Sequence, residues 1–310
     1  MRSPRLLCAV LGLARIASAH TVWIDTDVSI GSPIREVDDA YALVLAFRSP
    51  EIRIAGVSTT YGNAPLSATT RVAQNMVRRF GDSAGVAAEH VFAGATSAAD
   101  LGRRSAGSDA LAAALEKQKI TYIALGPLTN LATFLQLHPR LTQRIERVVL
   151  VGGHASRDDL TLGRNRSFHI HDANVFKDSV AMSAVLDANI PLTLIPIATG
   201  SGLTIDPGDL RALERSGDAG EYLSRRSRAW LWFWTNFAKT NGGPIFDALA
   251  ILPATRPELL SVEKRYAKMD EAGNLLVKSR LTSGARPVRY CTRFAPATKR
   301  FVLDRLMTRK

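Results

Sequence analysis

Hydrophobic positions along this chain alternate between short extended runs and longer stretches with helical spacing. Thr21-Val22-Trp23-Ile24 has the composition of a buried strand, and Ala40 to Phe47 reads as a buried helix. Glu51 to Thr60 predicts a second strand, followed by a Gly62-Asn63-Ala64-Pro65 turn and a helix from about Ser67 to Phe80. Ala84 to Gly107 reads as connecting loop around one short strand. The rhythm resumes with a strand at Ile120 to Leu125, then Gly126-Pro127 and a helix from Leu128. Arg147 to Val151 is a further strand that ends on Gly152-Gly153, Asn174 to Leu186 has a helical period, and Pro191 to Pro196 is extended. Past Asp206-Pro207 the chain is helical and basic as far as the aromatic cluster Trp230 to Trp234. Ser261 to Tyr290 alternates more, with a hairpin signal at Asp270 to Asn274.

This alternation predicts an α/β fold, a mostly parallel sheet flanked by its crossover helices. Ligands of such sheets gather beyond the carboxyl ends of the strands. Asp25, Asp27, Asn63, Gly126 and the Gly152-Gly153 pair all fall at those ends. Asp25-Thr26-Asp27 closes the first strand, and Asp38-Asp39 opens the next helix. Carboxylates placed so closely repel one another unless a cation or strong donors neutralise them. Asp38 and Asp39 alone would be ordinary first-turn residues of a helix, but that leaves Asp25 and Asp27 unexplained. An all-oxygen donor set suits calcium or magnesium better than zinc or copper.

Composition narrows the setting. With 310 residues, 46% of them hydrophobic, the chain can bury one large core, and no linker divides it. Residues 1–19 read as an export signal: Arg2 and Arg5, an apolar Leu6 to Leu13, then Ala17-Ser18-Ala19. Residues 20–310 then form the mature domain, secreted or periplasmic, with Cys291 as its one cysteine and no internal disulfide. No segment is long and apolar enough to span a bilayer. The formal charge of +12 is scattered in pairs such as Arg78-Arg79 and Arg225-Arg226, which describes a solvated basic surface and no specific nucleic-acid site.

A series of short motifs in order resembles one family across nearly the whole mature chain. They are Asp25-Thr26-Asp27 with Asp38-Asp39, Thr59-Thr60-Tyr61-Gly62-Asn63, Phe92-Ala93-Gly94-Ala95 and Leu125-Gly126-Pro127-Leu128-Thr129-Asn130. Val151-Gly152-Gly153, Asp172-Ala173-Asn174 and Asp247-Ala248-Leu249-Ala250 complete the series. The family is the calcium-dependent nucleoside hydrolases of the inosine-uridine preferring type, which implies a Rossmann-like fold, a ribonucleoside substrate and a homo-oligomer. The resemblance implies Ca2+ held by Asp27, Asp39, the backbone carbonyl of Leu125 and Asp247. It also implies that Asp27 is the general base toward a calcium-bound water, with Asp38 and Asn174 on the ribose hydroxyls and Asn63 assisting. Asp25 would steady the loop. Trp230 and Trp234, one helical turn apart, precede Asp247 where family members place aromatic rings over the base; Trp234 is the candidate for stacking, with core packing the plainer reading of such a stripe.

Three departures bear on the leaving base. The family's histidine before the metal-binding Asp is Phe246 here, which can stack but cannot donate a proton. The two aspartate pairs are farther apart than usual, so Val28 to Val37 either loops out or covers the site. The family's glutamate at the ribose 5′-hydroxyl is the shorter Asp172, and Asn165 is the nearest match to a further ribose-binding Asn. His154, His169 and His171 are alternative leaving-group acids. The primary expectation is hydrolysis of ribonucleosides to ribose and free base. The alternatives are hydrolysis of another N-riboside, such as nicotinamide riboside, and a calcium-loaded ribonucleoside-binding protein with little turnover.

Overall fold

The structure, a computed structural model, describes residues 19–308 apart from Pro33; all but the last residue of the expected export signal lies outside that range. The first half runs β1 (His20–Thr26), α1 (Asp38–Phe47), β2 (Ile52–Thr59), α2 (Leu66–Phe80), β3 (Val91–Ala93), α3 (Ala106–Lys117), β4 (Ile120–Ala124), α4 (Thr129–Leu137) and β5 (Ile145–Val151). It continues through α5 (Ala173–Lys177), α6 (Ser179–Asp187), β6 (Leu192–Ile195), α7 (Pro207–Glu214), α8 (Asp218–Trp232) and α9 (Ala248–Thr255). An edge of β7 (Leu260–Met269), β8 (Leu275–Lys278) and β9 (Arg286–Phe294) precedes the closing helix α10 (Ala297–Met307).

These strands form one nine-stranded sheet in the order β8-β7-β9-β6-β5-β4-β1-β2-β3. Every pairing from β9 to β3 is parallel, and β7 alone runs against both its neighbours. The expected α/β fold with a mostly parallel sheet is therefore the observed one. The antiparallel edge follows from the hairpin at Asp270 to Asn274, where Asp270 accepts from the Ala272 and Asn274 backbone N–H groups.

Two apolar layers cover the sheet. On one face lie α1, α2 and the helices between 207 and 255, with α10; on the other lie α3, α4 and α6. Helix α2 turns one stripe inward, Thr69, Ala73, Met76 and Val77. Helix α1 is different, because all ten of its residues are buried, Asp38 and Asp39 included. A helix apolar along nearly its whole length sinks into the core, and it takes its two first-turn carboxylates with it.

The single helix expected over Asn174 to Leu186 is in fact two. Asp178 leaves the helical conformation and caps α6, its carboxylate accepting from the Ala181 backbone N–H at 2.9 Å and from the Thr129 hydroxyl at 2.5 Å. The break lets α5 take its own direction, with Asn174 and Lys177 directed to the carboxyl ends of the strands.

Candidate active site

At the carboxyl end of β1 the chain carries Asp25, whose side chain points back into the sheet. It accepts from the Ser58 hydroxyl at 2.6 Å and from the Asn130 amide at 2.8 Å, and Ser58 in turn accepts from the Trp23 indole at 2.8 Å. Burial pushes its carboxyl up to about 6 despite these donors. Asn130 also accepts from the Ala95 N–H at 2.7 Å. A Cβ at Gly94 would stand 2.1 Å from the Asn130 amide oxygen, which accounts for the glycine in Phe92-Ala93-Gly94-Ala95. Asp25 thus ties β1 to β2 and to the start of α4, and it faces away from the pocket.

Asp27, two residues on, faces the opposite way. Its carboxylate accepts from the Asn63 backbone N–H at 2.7 Å and the Asn63 amide at 3.1 Å. Lys177 Nζ is 3.4 Å from it. Asn63 also donates to Asp39 at 3.2 Å, and the Asp27 N–H donates to Asp39 at 3.2 Å. The loop after β2 must come this close, since a Cβ at Gly62 would lie 1.8 Å from an Asp27 oxygen.

Carboxylate oxygens of Asp38, Asp39 and Asp247 all lie within 4.8 Å of one another, and all three residues are buried. Asp38 and Asp39 come from the first turn of α1, and Asp247 from the residue before α9. Burial is the first reason that all three carboxyls are held well above the usual range; repulsion follows, from Glu36 and Asp27 on Asp38, from Asp27 and Asp38 on Asp39, and from Asp38, Asp39 and Asp27 on Asp247. Asp27 is raised by burial, with Lys177 opposing. Dry, mutually repelling oxygen donors of this kind fit a hard divalent cation, and Leu125 lines the same pocket as Asp38 and Asp247. The Leu125 and Val151 carbonyls accept from the Asn174 amide at 3.0 and 3.1 Å.

The carboxylates open into a cavity of about 300 Å³. It is lined by Glu36, Asp38, Asn63, Asp172, Asn174 and Asp247, with Trp234, Phe246 and several aliphatic side chains forming the far wall. Asp172 is buried and accepts from the Gly153 N–H at 2.6 Å. Trp234 reaches the wall because α8 passes into a π-helical turn over Phe233–Phe237. It meets Phe246 edge to face at 6.2 Å and is backed by Phe168 at 5.7 Å.

Some expected residues stand elsewhere. Asn165 is exposed on a tight turn at φ 56° and does not line the cavity, because the turn around Gly163 docks on Ala238 and Lys239 instead. Trp230 is core: it packs beside Tyr41 at 6.5 Å and a Cβ at Gly243 would strike its ring. His154 is buried 3.9 Å from Asp172, outside the cavity wall, and His169 is exposed. His171 does line the cavity, stacked on the exposed Phe176 at 4.5 Å.

Two functional groups escaped the sequence reading, Lys177 and Glu36. Lys177 sits one residue before the helix break that nothing in the local period announces. Glu36 belongs to the long segment between the aspartate pairs. The ends of that segment pack inward, with Val28, Ile30 and Val37 in the core, while Gly31, Ile34 and Arg35 are exposed; Arg35 donates to the Asn63 carbonyl at 2.6 Å, and Glu36 is delivered into the cavity. The Glu36 carboxyl accepts from the Trp230 indole at 2.8 Å. The Trp234 N–H lies near enough to lower its pKa without making a well-formed bond. Burial nonetheless raises Glu36 to about 7.

Comparison with known proteins agrees with this geometry. The family described as inosine-uridine preferring nucleoside hydrolase matches residues 22–298. The chain is 26% identical over 275 residues to the non-specific ribonucleoside hydrolase RihC of Escherichia coli (strain SE11), covering 81% of this chain and 84% of the relative. It is 24% identical over 275 residues to uridine nucleosidase 1 of Arabidopsis thaliana, covering 81% and 78%. Among solved structures, the plant nucleoside hydrolase PpNRh1 superposes with a TM-score of 0.78 at 21% identity, covering 94% of this chain and 99% of its own. The purine-preferring ribonucleoside hydrolase of Gardnerella vaginalis gives 0.77 at 19% identity, covering 93% and 98%. At that identity the two structures speak for the fold.

Proposed function

This chain belongs to the inosine-uridine preferring nucleoside hydrolase family, whose members split ribonucleosides into ribose and free base, and we propose that it does so with calcium and with Asp27 as general base. The observation that carries this reading is the buried cluster of Asp38, Asp39 and Asp247 beside one cavity, with Asp27 tied to Asp39 through its own N–H and the Asn63 amide. Asp27, Asp39, Asp247 and the Leu125 carbonyl would hold the ion. When bound, calcium supplies the charge that makes a neighbouring water acidic and draws the ribose diol into place.

The remaining steps fall to the chain's own residues. Asp38 and Asn174 orient the ribose, with Asp172 below its 5′ end. Asp27 takes the proton of the attacking water, and Asn63 and Lys177 hold the Asp27 carboxylate in position. Positive charge grows on the ribose as the C1′–N bond stretches, and the surrounding carboxylates stabilise it electrostatically. Attack from the face opposite the base gives inversion, as in inverting glycosidases. Trp234 and Phe246 receive the departing base.

An Asp27→Asn variant tests the assignment of the base. It should bind nucleoside in calcium and release ribose at most about a thousandth as fast as the native enzyme. Ribose release within tenfold of native would remove Asp27 from that role. Export belongs to the same proposal, and protein recovered from outside the cytoplasm should begin at His20.

A further inference from the structure

A second cavity, of about 740 Å³, opens beside the first and shares no lining residue with it. Consecutive residues divide the two: Ile197 and Trp234 line the carboxylate cavity, while Ala198 and Thr235 line this one. Its charge has the opposite sign. Arg164, Arg166 and Lys239 line it, against the single carboxylate of Asp159. That carboxylate is already engaged, accepting from the Ala155 and Ser156 backbone N–H groups at 2.8 and 3.0 Å.

Two turns that lock together hold the cations there. Gly163, at φ 77°, brings the first turn against the Ala238 carbonyl, where a Cβ would stand 1.9 Å from the oxygen. The Arg164 N–H then donates to the Lys239 carbonyl at 3.0 Å. Arg166 and Lys239 both hold left-handed backbone, at φ 54° and 56°, which Gly or Asn adopts readily and a long side chain does not. Of the five non-glycine residues at positive φ among the described residues, three (Asn165, Arg166 and Lys239) lie on these two turns, so the strain is concentrated at the cavity rim. Strain of this kind persists where the surrounding structure over-determines it, and it clusters at ligand clamps. The Arg166 guanidinium is fixed further, donating to the Thr161 hydroxyl at 2.8 Å and to the Asp158 carbonyl. The side chains of Arg164, Lys239, Thr204 and Asn241 line the same cavity and make no hydrogen bond or ion pair with a described residue.

Two uncommitted cations, a third held by its own turn, and neutral hydroxyl and amide donors suit an anion of high charge with several acceptor oxygens. Guanidinium forks and ammonium groups bind phosphate in this way. We propose that this cavity is a phosphate-binding site, taking inorganic phosphate or the phosphate of a monoester, with Arg164, Arg166 and Lys239 as its cationic ligands. A carboxylate, with one charge and two oxygens, would leave part of the donor set unused. A volume of about 740 Å³ exceeds what a bare phosphate fills and leaves room for the body of an ester. The site lies apart from the hydrolytic one, and its occupancy is independent of riboside hydrolysis.

The test is calorimetric titration of the full chain with inorganic phosphate and, separately, with ribose 5-phosphate at low ionic strength. Calcium is chelated so that it neither binds nor precipitates the anion. Saturable binding is expected at a dissociation constant of about 1 mM or lower, weakening as salt is raised. Arg164→Gln combined with Lys239→Gln should weaken it at least about tenfold. Arg164→Gln alone, at a position of ordinary backbone conformation, should weaken it about threefold and keeps the test open if the Lys239 turn does not tolerate change. Arg280→Gln combined with Arg286→Gln removes the same charge from two exposed positions outside the cavity and should leave binding within about twofold of native. Tighter binding of ribose 5-phosphate than of phosphate would assign the ester as ligand; affinity no tighter would assign the free anion. No saturable binding by about 20 mM of either anion would overturn the proposal. Binding that the cavity substitutions leave unchanged, or that both pairs weaken equally, would overturn it as well.

Discussion

The two ends of the cavity are built on opposite terms. At the ribose end, Asp27, Asp38, Asp39 and Asp247 come from the starts and ends of regular elements, β1, α1 and α9. Asn63 bridges Asp27 to Asp39. At the base end, Glu36 comes from an irregular segment, Trp234 from a π-helical turn, and Phe246 from the stretch just before α9. The first end is held by the sheet and admits few alternatives; the second is assembled from pieces whose position depends on packing. Such a division places the bond-breaking chemistry on the rigid part of the fold and leaves substrate choice to the part that can vary.

Perturbations of the ribose end should have the largest effects. Asp27→Asn should cost about a thousandfold in kcat, because a positioned base contributes 10²- to 10⁴-fold. Asp39→Asn should act through the ion. At calcium concentrations near 100 times the native dissociation constant, the native protein gains about 2.7 kcal/mol on binding. That corresponds to a rise of about 5–10 °C in melting temperature, measured by calorimetry, and the variant should lose most of it.

The pH dependence of stability separates the two states of the same end. Burial raises Asp25 to about 6, and Asp38, Asp39 and Asp247 well above their ordinary range. Between the unfolded carboxyl range, at about pH 4, and these raised values the native metal-free protein binds more protons than the unfolded chain. The stability these groups contribute at low pH is therefore lost as pH rises through about 6 and the higher values above it. Calcium replaces those protons. The melting-temperature gain from calcium should accordingly be larger at pH 8 than at pH 5, and a gain that shrinks with pH would contradict the assigned carboxylates.

At the base end the expected effects are smaller and selective. Phe246→His should raise kcat/KM for inosine about tenfold by restoring a proton donor, with little change for nicotinamide riboside. His171→Ala should alter ribose release by less than about threefold, since His171 is exposed and stacked on Phe176. A loss confined to neutral nucleosides, with nitrophenyl riboside turnover intact, would make His171 the leaving-group acid instead.

The same division explains what could be read before the fold was known. The aspartate pairs were legible because strand ends and helix starts follow from local hydrophobic pattern, and parallel topology gathers those ends together. The order of β1, β2, β4 and β5 placed Asp27, Asn63, Leu125 and Gly152 on one rim. Asn165 was misplaced because its turn is fixed by Gly163 closing on the Ala238 carbonyl, a contact between distant segments. Trp230 and Trp234 share a helical face in sequence, yet the π-helical turn separates them, sending one to the core and the other to the cavity. Glu36 and Lys177 were not legible at all: Glu36 belongs to no periodic pattern, and Lys177 reaches the site only because Asp178 breaks the helix that the local period predicts.

Ribose release from a panel of purine, pyrimidine and nicotinamide ribosides, measured with calcium and again after chelation, tests the central claim most directly. The account predicts release from at least one riboside that stops on chelation and returns when calcium is restored. Release that persists without the ion, or calcium-dependent binding of a riboside with no release from any, would contradict it.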